Sequence, residues 1–298
     1  MSMHGYVATA QETLLSISFS LNREPCKDIA NCLIESLKEK SENNLKDLLH
    51  SNMASSDRTP GLMPPGDGSI PPGKPMTVGQ QILDKGAQML QSLKPIKKMT
   101  QHVCTFAVYS HDMTRQIETH HYVTRLNQDF LQCAVYDSDD STGRLIGVEY
   151  IVSDLIFNTL PPEEQKLWHS HSYEITSGLW VHPRVPEMIQ RSELQDLART
   201  YGKFWCTWQV DRGDRVPLGA PALMVSPQGV NLGMITAELI QKRDKKYDIS
   251  SDELAIKRMD IAVPETITPI RADYWMRTGK GFAVDVEQTE MISRTPFP

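Results

Sequence analysis

From His102 to Val225 the chain is broken into short segments that suit a sheet better than any other structure. Val103–Tyr109, Phe130–Tyr136, Leu145–Val152, Ile175–Val181, Phe204–Val210 and Ala222–Val225 are apolar or alternating, and rich in β-branched and aromatic residues. Turn chemistry separates them, most clearly in Asp137-Ser138-Asp139-Asp140-Ser141-Thr142-Gly143. Within and after this region helical spacing appears over Pro186–Tyr201 and Ile235–Lys246. Strands that arrive in groups, instead of alternating with helices, predict an α+β fold. The expectation is a mainly antiparallel sheet with packed helices, forming a single globular domain over residues 77–298.

The chain ahead of this domain has a different character. Asp28–His50 carries helical spacing with a Lys/Glu-rich opposite face, and Met53-Ala54-Ser55-Ser56 resembles a translation start. Residues 1–52 are therefore expected to be a helical extension or the product of an over-long gene model. Residues 53–76 include TPGLMPPGDGSIPPGKP, where repeated Pro and Gly favour neither helix nor sheet, so a disordered linker is expected. Thr77–Leu93 then predicts an amphipathic helix capped by Thr77, with Val78, Ile82, Leu83, Ala87, Leu90 and Leu93 on one face. Lys94, Lys97 and Lys98 follow it. An apolar face beside a lysine cluster suits an anionic lipid surface, which makes Ile82, Leu83, Leu90, Leu93 and these three lysines the lipid-surface candidates.

Composition excludes several classes of function. A formal charge of −6 provides no basic field for nucleic acid. No stretch approaches the roughly 18 consecutive apolar residues that span a bilayer, so transmembrane insertion is not expected. The five cysteines form no CxxC pair, which argues against a zinc ribbon and fits a reducing compartment such as the cytosol.

The best donor chemistry lies in Trp168-His169-Ser170-His171-Ser172-Tyr173-Glu174. On a strand His169 and His171 share a face, and imidazoles so placed bind Zn or Fe, with Glu174 as the candidate carboxylate. Glu174 stands at an odd offset and needs a bulge or turn to join them. The spacing only partly matches the cupin pattern, in which the glutamate follows the second histidine by three or four residues. His120, His121, Trp168 and Tyr173 are candidates to line a pocket there. His120 and His121, being adjacent, point to opposite faces of a strand. No cofactor is expected; a divalent metal at His169, His171 and Glu174 is the alternative.

Ordered blocks along the chain carry a family likeness. These are His120-His121-Tyr122, Tyr136-Asp137-Ser138, Leu145-Ile146-Gly147-Val148-Glu149-Tyr150-Ile151-Val152-Ser153, the Trp168–Glu174 block, Tyr201-Gly202-Lys203 and Trp208-Gln209-Val210-Asp211-Arg212-Gly213-Asp214. Over roughly residues 53–298 the chain resembles the plant oil body-associated protein family. The resemblance implies association with the surface of seed oil bodies (lipid droplets), reached from the cytoplasm, and a role in their formation, size or stability. It implies no reaction. The leading expectation is a peripheral, non-enzymatic protein whose partner is the phospholipid surface or another oil body protein. The alternative is a metal-dependent or lipid-modifying enzyme that uses His169, His171 and Glu174.

Overall fold

The computed structural model describes residues 55–57, 69–230, 234–262 and 271–292. The predicted extension and most of the predicted linker lie outside these residues. Helix α1 spans Val78–Leu90 and α2 spans Lys94–Lys97. Strands β1 (Gln101–Tyr109), β2 (Asp112–Asn127), β3 (Phe130–Tyr136) and β4 (Leu145–Ser153) follow as an antiparallel meander. Short helices α3 (Asp154–Phe157) and α4 (Pro162–Gln165) lead to the two-residue strand β5 (His169–Ser170) and to α5 (Ser172–Thr176). Next come α6 (Glu187–Leu197), β6 (Thr200–Cys206) and β7 (Ala222–Val225). Helices α7 (Ala237–Tyr247), α8 (Ser251–Lys257) and α9 (Tyr274–Thr278) complete the described elements.

The sheet runs β4-β3-β2-β1-β7-β6, and β6 pairs back onto β4. Six antiparallel strands therefore close on themselves. The closing seam holds seven residue pairs, from Gly147↔Cys206 to Ser153↔Thr200. Glycine at 147 makes the approach possible, because a β-carbon there would lie 2.7 Å from the Phe204 ring and 3.1 Å from the Cys206 Cα. The expected α+β fold with packed helices is corrected by this closure: the body is an antiparallel β-barrel with few, mostly short helices. Apolar runs report that a strand is buried but not which strand lies beside it, and the seam joins strands distant in sequence. Ile175–Val181, expected as a strand, begins inside α5, where the Ile175 amide donates to the His171 carbonyl at 3.1 Å. Gly178, with φ +76°, ends that turn, and only Val181 bridges β1, at Cys104.

Strand alternation sorts the barrel wall into two faces. Leu131, Cys133 and Val135 of β3 point inward with Gly147, Glu149 and Ile151 of β4, and Phe204 and Met224 meet them from β6 and β7. Part of the outer wall is also covered, since Leu239 and Ile240 of α7 pack with Phe106, Val108 and Val225. The predicted turn at 137–143 forms, and the Asp137 carboxylate accepts from the Arg144 amide at 2.7 Å and from its Nε at 2.6 Å.

Two ionic clamps fix the periphery. Arg258 is fully buried and donates to both Glu187 oxygens (2.6 and 2.9 Å) and to the carbonyls of Ile175 (3.0 Å) and Trp180 (2.8 Å). Arg258→Ala leaves those acceptors unpaired and is expected to cost about 3–5 kcal/mol, a fall in melting temperature of roughly 10 °C by circular dichroism. In the second clamp Asp211 accepts from Arg115 (2.7 and 2.8 Å) and from the Tyr109 hydroxyl (2.7 Å), joining β1 and β2 to the turn after β6. Burial raises the Asp211 pKa, but those hydrogen bonds and the Arg115 charge outweigh it and hold it below the usual carboxylate range. A depressed carboxylate stabilises the fold above its unfolded pKa and loses that contribution as pH falls. Asp211→Asn is thus expected to flatten the stability loss below about pH 4, read from acid unfolding curves.

Candidate functional site

The polar centre of the molecule is built on Glu149. It lies in the middle of apolar β4, faces the barrel interior opposite Cys133 and Phe204, and is only 2% exposed. A lone carboxylate in such a place is almost never tolerated unless paired. Three buried histidines surround it. His169 Nε2 lies 3.0 Å from Oε1, His171 Nε2 lies 3.6 Å from the same oxygen, and His121 Nδ1 lies 2.8 Å from Oε2. The donor atoms of Glu149, His169 and His171 all fall within 4.8 Å of one another.

Different elements supply these side chains. His121 comes from β2, at the register opposite Val103 and Val135. His169 lies in β5, held against β6 by the pairing His169↔Gly202, and His171 caps the first turn of α5. Gly202 is the floor of the cluster. A β-carbon there would overlap Glu149 Oε1 and lie 2.6 Å from Nε2 of both His169 and His171. The adjoining cavity, lined by Thr105, His121, Glu149, His169, Glu174 and Ser226 among others, measures about 10 Å³. That is room for one water-sized occupant, not for an organic substrate.

Burial opposes charge on Glu149, but the charge of His121, the hydrogen bond with His169 and the closeness of His171 outweigh it, holding the carboxyl well below its usual range. Burial would lower His169, yet its hydrogen bond and charge interaction with Glu149 raise it. Burial lowers His171. Glu174, buried on α5, is pushed up to about 8 by desolvation, although Thr105 Oγ1 donates to it at 2.6 Å. Close beneath the histidines, Asp273 accepts from the Ser170 amide (3.1 Å) and hydroxyl (2.5 Å), and burial raises its pKa. One carboxylate kept charged beside another kept protonated gives a centre fit to hold a cation or a proton.

The predicted residues are distributed unevenly around this centre. His169 and His171 both face Glu149 Oε1, one from a strand and the other from the start of a helix. Glu174 is near, with Oε1 3.8 Å from His171 Nε2, but Glu149 is the carboxylate closest to both rings. His121 joins the cluster. His120 points the other way, with Nδ1 3.0 Å from His102 Nε2 and Nε2 3.2 Å from Glu118. Trp168 packs with Phe157 and Tyr201, and its Nε1 donates to Glu164 at 3.0 Å. Tyr173 packs with Phe106 and Leu179, outside the cavity lining. Glu149 is the central carboxylate that sequence reasoning did not single out. Its signal was a charge between Gly147 and Ile151, in the inward register of an otherwise apolar strand.

The lipid-surface candidates stand apart from the barrel chemistry. Thr77 caps α1 with a full capping box: its Oγ1 accepts from the Gln80 amide (3.3 Å), and its own amide donates to Gln80 Oε1 (2.8 Å). No residue of α1 is buried; Ile82 is 66%, Leu83 71% and Leu90 90% exposed. Leu93, Lys94, Lys97 and Lys98 are exposed as well. Among the described residues no helix is long and apolar enough to cross a membrane.

Fold and site together define a closed antiparallel β-barrel with a buried carboxylate–histidine centre and an unpacked amphipathic helix before its first strand. Residues 93–262 match the family described as "Protein of unknown function (DUF1264)". The chain is 59% identical over 248 residues to oil body-associated protein 2A of Arabidopsis thaliana, covering 83% of this chain and 100% of that protein. It is 58% identical over 252 residues to oil body-associated protein 2A of Zea mays, with the same coverage of 83% and 100%. Oil body-associated protein 1B of Arabidopsis thaliana is 38% identical over 225 residues, 75% of this chain and 91% of that protein. The chain belongs to the oil body-associated protein family. No solved structure matches it.

Proposed function

We propose that the protein resides on the surface of plant oil bodies and attaches from outside, by laying α1 and the lysines after it onto the phospholipid monolayer. The unpacked apolar face of α1 carries this reading. Val78, Ile82, Leu83, Met89 and Leu90 are all exposed on a helix none of whose residues is buried. Each such side chain is worth about 1.5 kcal/mol or more when taken fully out of water. Charge favours the same partner, since Lys85, Lys94, Lys97 and Lys98 face only Asp84 in this segment of a chain whose net charge is −6. Basic residues beside an apolar face are attracted to anionic lipid by about 1 kcal/mol each. The curated relatives are named for oil bodies, which supports a droplet monolayer as the surface concerned.

Peripheral attachment has a direct test. Washing isolated oil bodies with alkaline carbonate is expected to strip the protein while proteins with embedded apolar hairpins stay in the floating layer. Retention through that wash would overturn the reading. Binding to triacylglycerol droplets coated with phosphatidylserine is expected to exceed binding to droplets coated with phosphatidylcholine, and the difference should shrink as salt is raised.

A further inference from the structure

The hydrogen bonds around His171 fix more than its orientation. Thr200 Oγ1 lies 2.7 Å from the Leu197 carbonyl and 2.8 Å from His171 Nδ1. A carbonyl only accepts, so the hydroxyl proton goes to Leu197, and the ring must donate from Nδ1 to the hydroxyl oxygen. In the neutral imidazole Nε2 is then a bare lone pair. It is buried and has no hydrogen-bond partner, and it faces Glu149 Oε1 at 3.6 Å and Glu174 Oε1 at 3.8 Å. A proton on Nε2 would not relieve this, because neither oxygen is within hydrogen-bonding distance. A nitrogen lone pair buried against a charged carboxylate calls for a cation between them.

We propose that the barrel interior is a binding site for one divalent transition-metal ion, held by Glu149 Oε1, His169 Nε2 and His171 Nε2. The three donors come from β4, β5 and the start of α5, and Gly202 marks where they converge: only glycine leaves their meeting point open. Two imidazoles and one carboxylate suit Zn²⁺, Fe²⁺ or Mn²⁺, which take N and O donors at about 2.0–2.2 Å. The 10 Å³ cavity admits a water as a further ligand and nothing larger. The Thr200–His171 hydrogen bond is the outer support that metal-bound histidines characteristically have. His121, on the second carboxylate oxygen, and Thr200 are positioning residues. The site is separate from α1 and stands whether or not α1 is the lipid anchor.

The test uses the full chain stripped with a chelator and dialysed against Zn²⁺, Fe²⁺ or Mn²⁺ in turn, with elemental analysis and melting temperature as readouts. About one ion per chain, with a raised melting temperature, is expected for at least one of the metals. His169→Ala with His171→Ala should abolish uptake. Should that pair fail to fold, Glu149→Gln keeps the shape of the carboxyl, and it too is expected to lose the ion. Thr200→Val should weaken binding by about 10–100-fold while Thr200→Ser restores it. A folded, stripped wild-type chain that takes up none of the three metals overturns the proposal. So does stoichiometric uptake by the double histidine variant, or unchanged affinity in Thr200→Val.

Discussion

Ile82→Asp with Leu90→Asp is expected to move the protein from the floating oil-body fraction into the aqueous phase, lowering its partition at least 100-fold. The reasoning starts from exposure. Both side chains stand off the folded body, at 66% and 90%, so replacing them removes no core packing. On a monolayer each contributes about 1.5 kcal/mol of transfer free energy, and the pair about 3 kcal/mol, which is already over a hundredfold. Two carboxylates at an anionic surface add repulsion to the lost burial. Flotation of the double variant on a sucrose gradient is the measurement, with circular dichroism to show that the barrel stays folded. A folded variant that floats like wild type would remove α1 as the anchor.

Gly202→Ala is expected to be among the most damaging single changes in the chain, although it adds one methyl group. That carbon would overlap Glu149 Oε1 and come within 2.6 Å of two histidine nitrogens. Overpacking alone costs about 1–3 kcal/mol, and pushing a buried carboxylate off its partners about 3–5 kcal/mol, so a melting temperature lower by roughly 10 °C or more is expected. Gly86→Ala is the internal control. Nothing lies within 4 Å of its added carbon, and it sits inside α1, where alanine is the better helix former by about 0.5–1 kcal/mol. Scanning calorimetry of the two variants should show opposite signs, or no change for Gly86→Ala. A wild-type melting curve for Gly202→Ala would mean that the cluster is looser than its distances indicate.

The same distances explain what the sequence revealed and what it hid. Helix α1 was legible because amphipathic spacing and the Thr77 cap are local, and they need no partner to be recognised. Strands β3 and β7 fall on the predicted Phe130–Tyr136 and Ala222–Val225, where apolar β-formers sit between turn residues. Strand β2 was read only at His120 and His121, without its bounds. Its inward positions include Thr119 and His121, so polar residues conceal the extent of a half-buried strand. The HxH pair was seen at once, but its carboxylate was sought three residues away, at Glu174, when β4 delivers Glu149 across the barrel. Partners supplied by strand pairing leave no mark in sequence spacing. Closure was hidden for that reason too, since its cue was the pair of glycines, Gly147 and Gly202, on the two strands of the seam.

Closure bears on how copies of this chain meet at a shared surface. Each of the six barrel strands is hydrogen-bonded on both sides, and the appended strand is two residues long. A sheet with an exposed rim would template neighbours, because unpaired amides and carbonyls recruit further strands and lead to aggregates. A ring offers no such template, so these bodies can be concentrated on a droplet without zipping together, and droplets carrying them without being glued to one another.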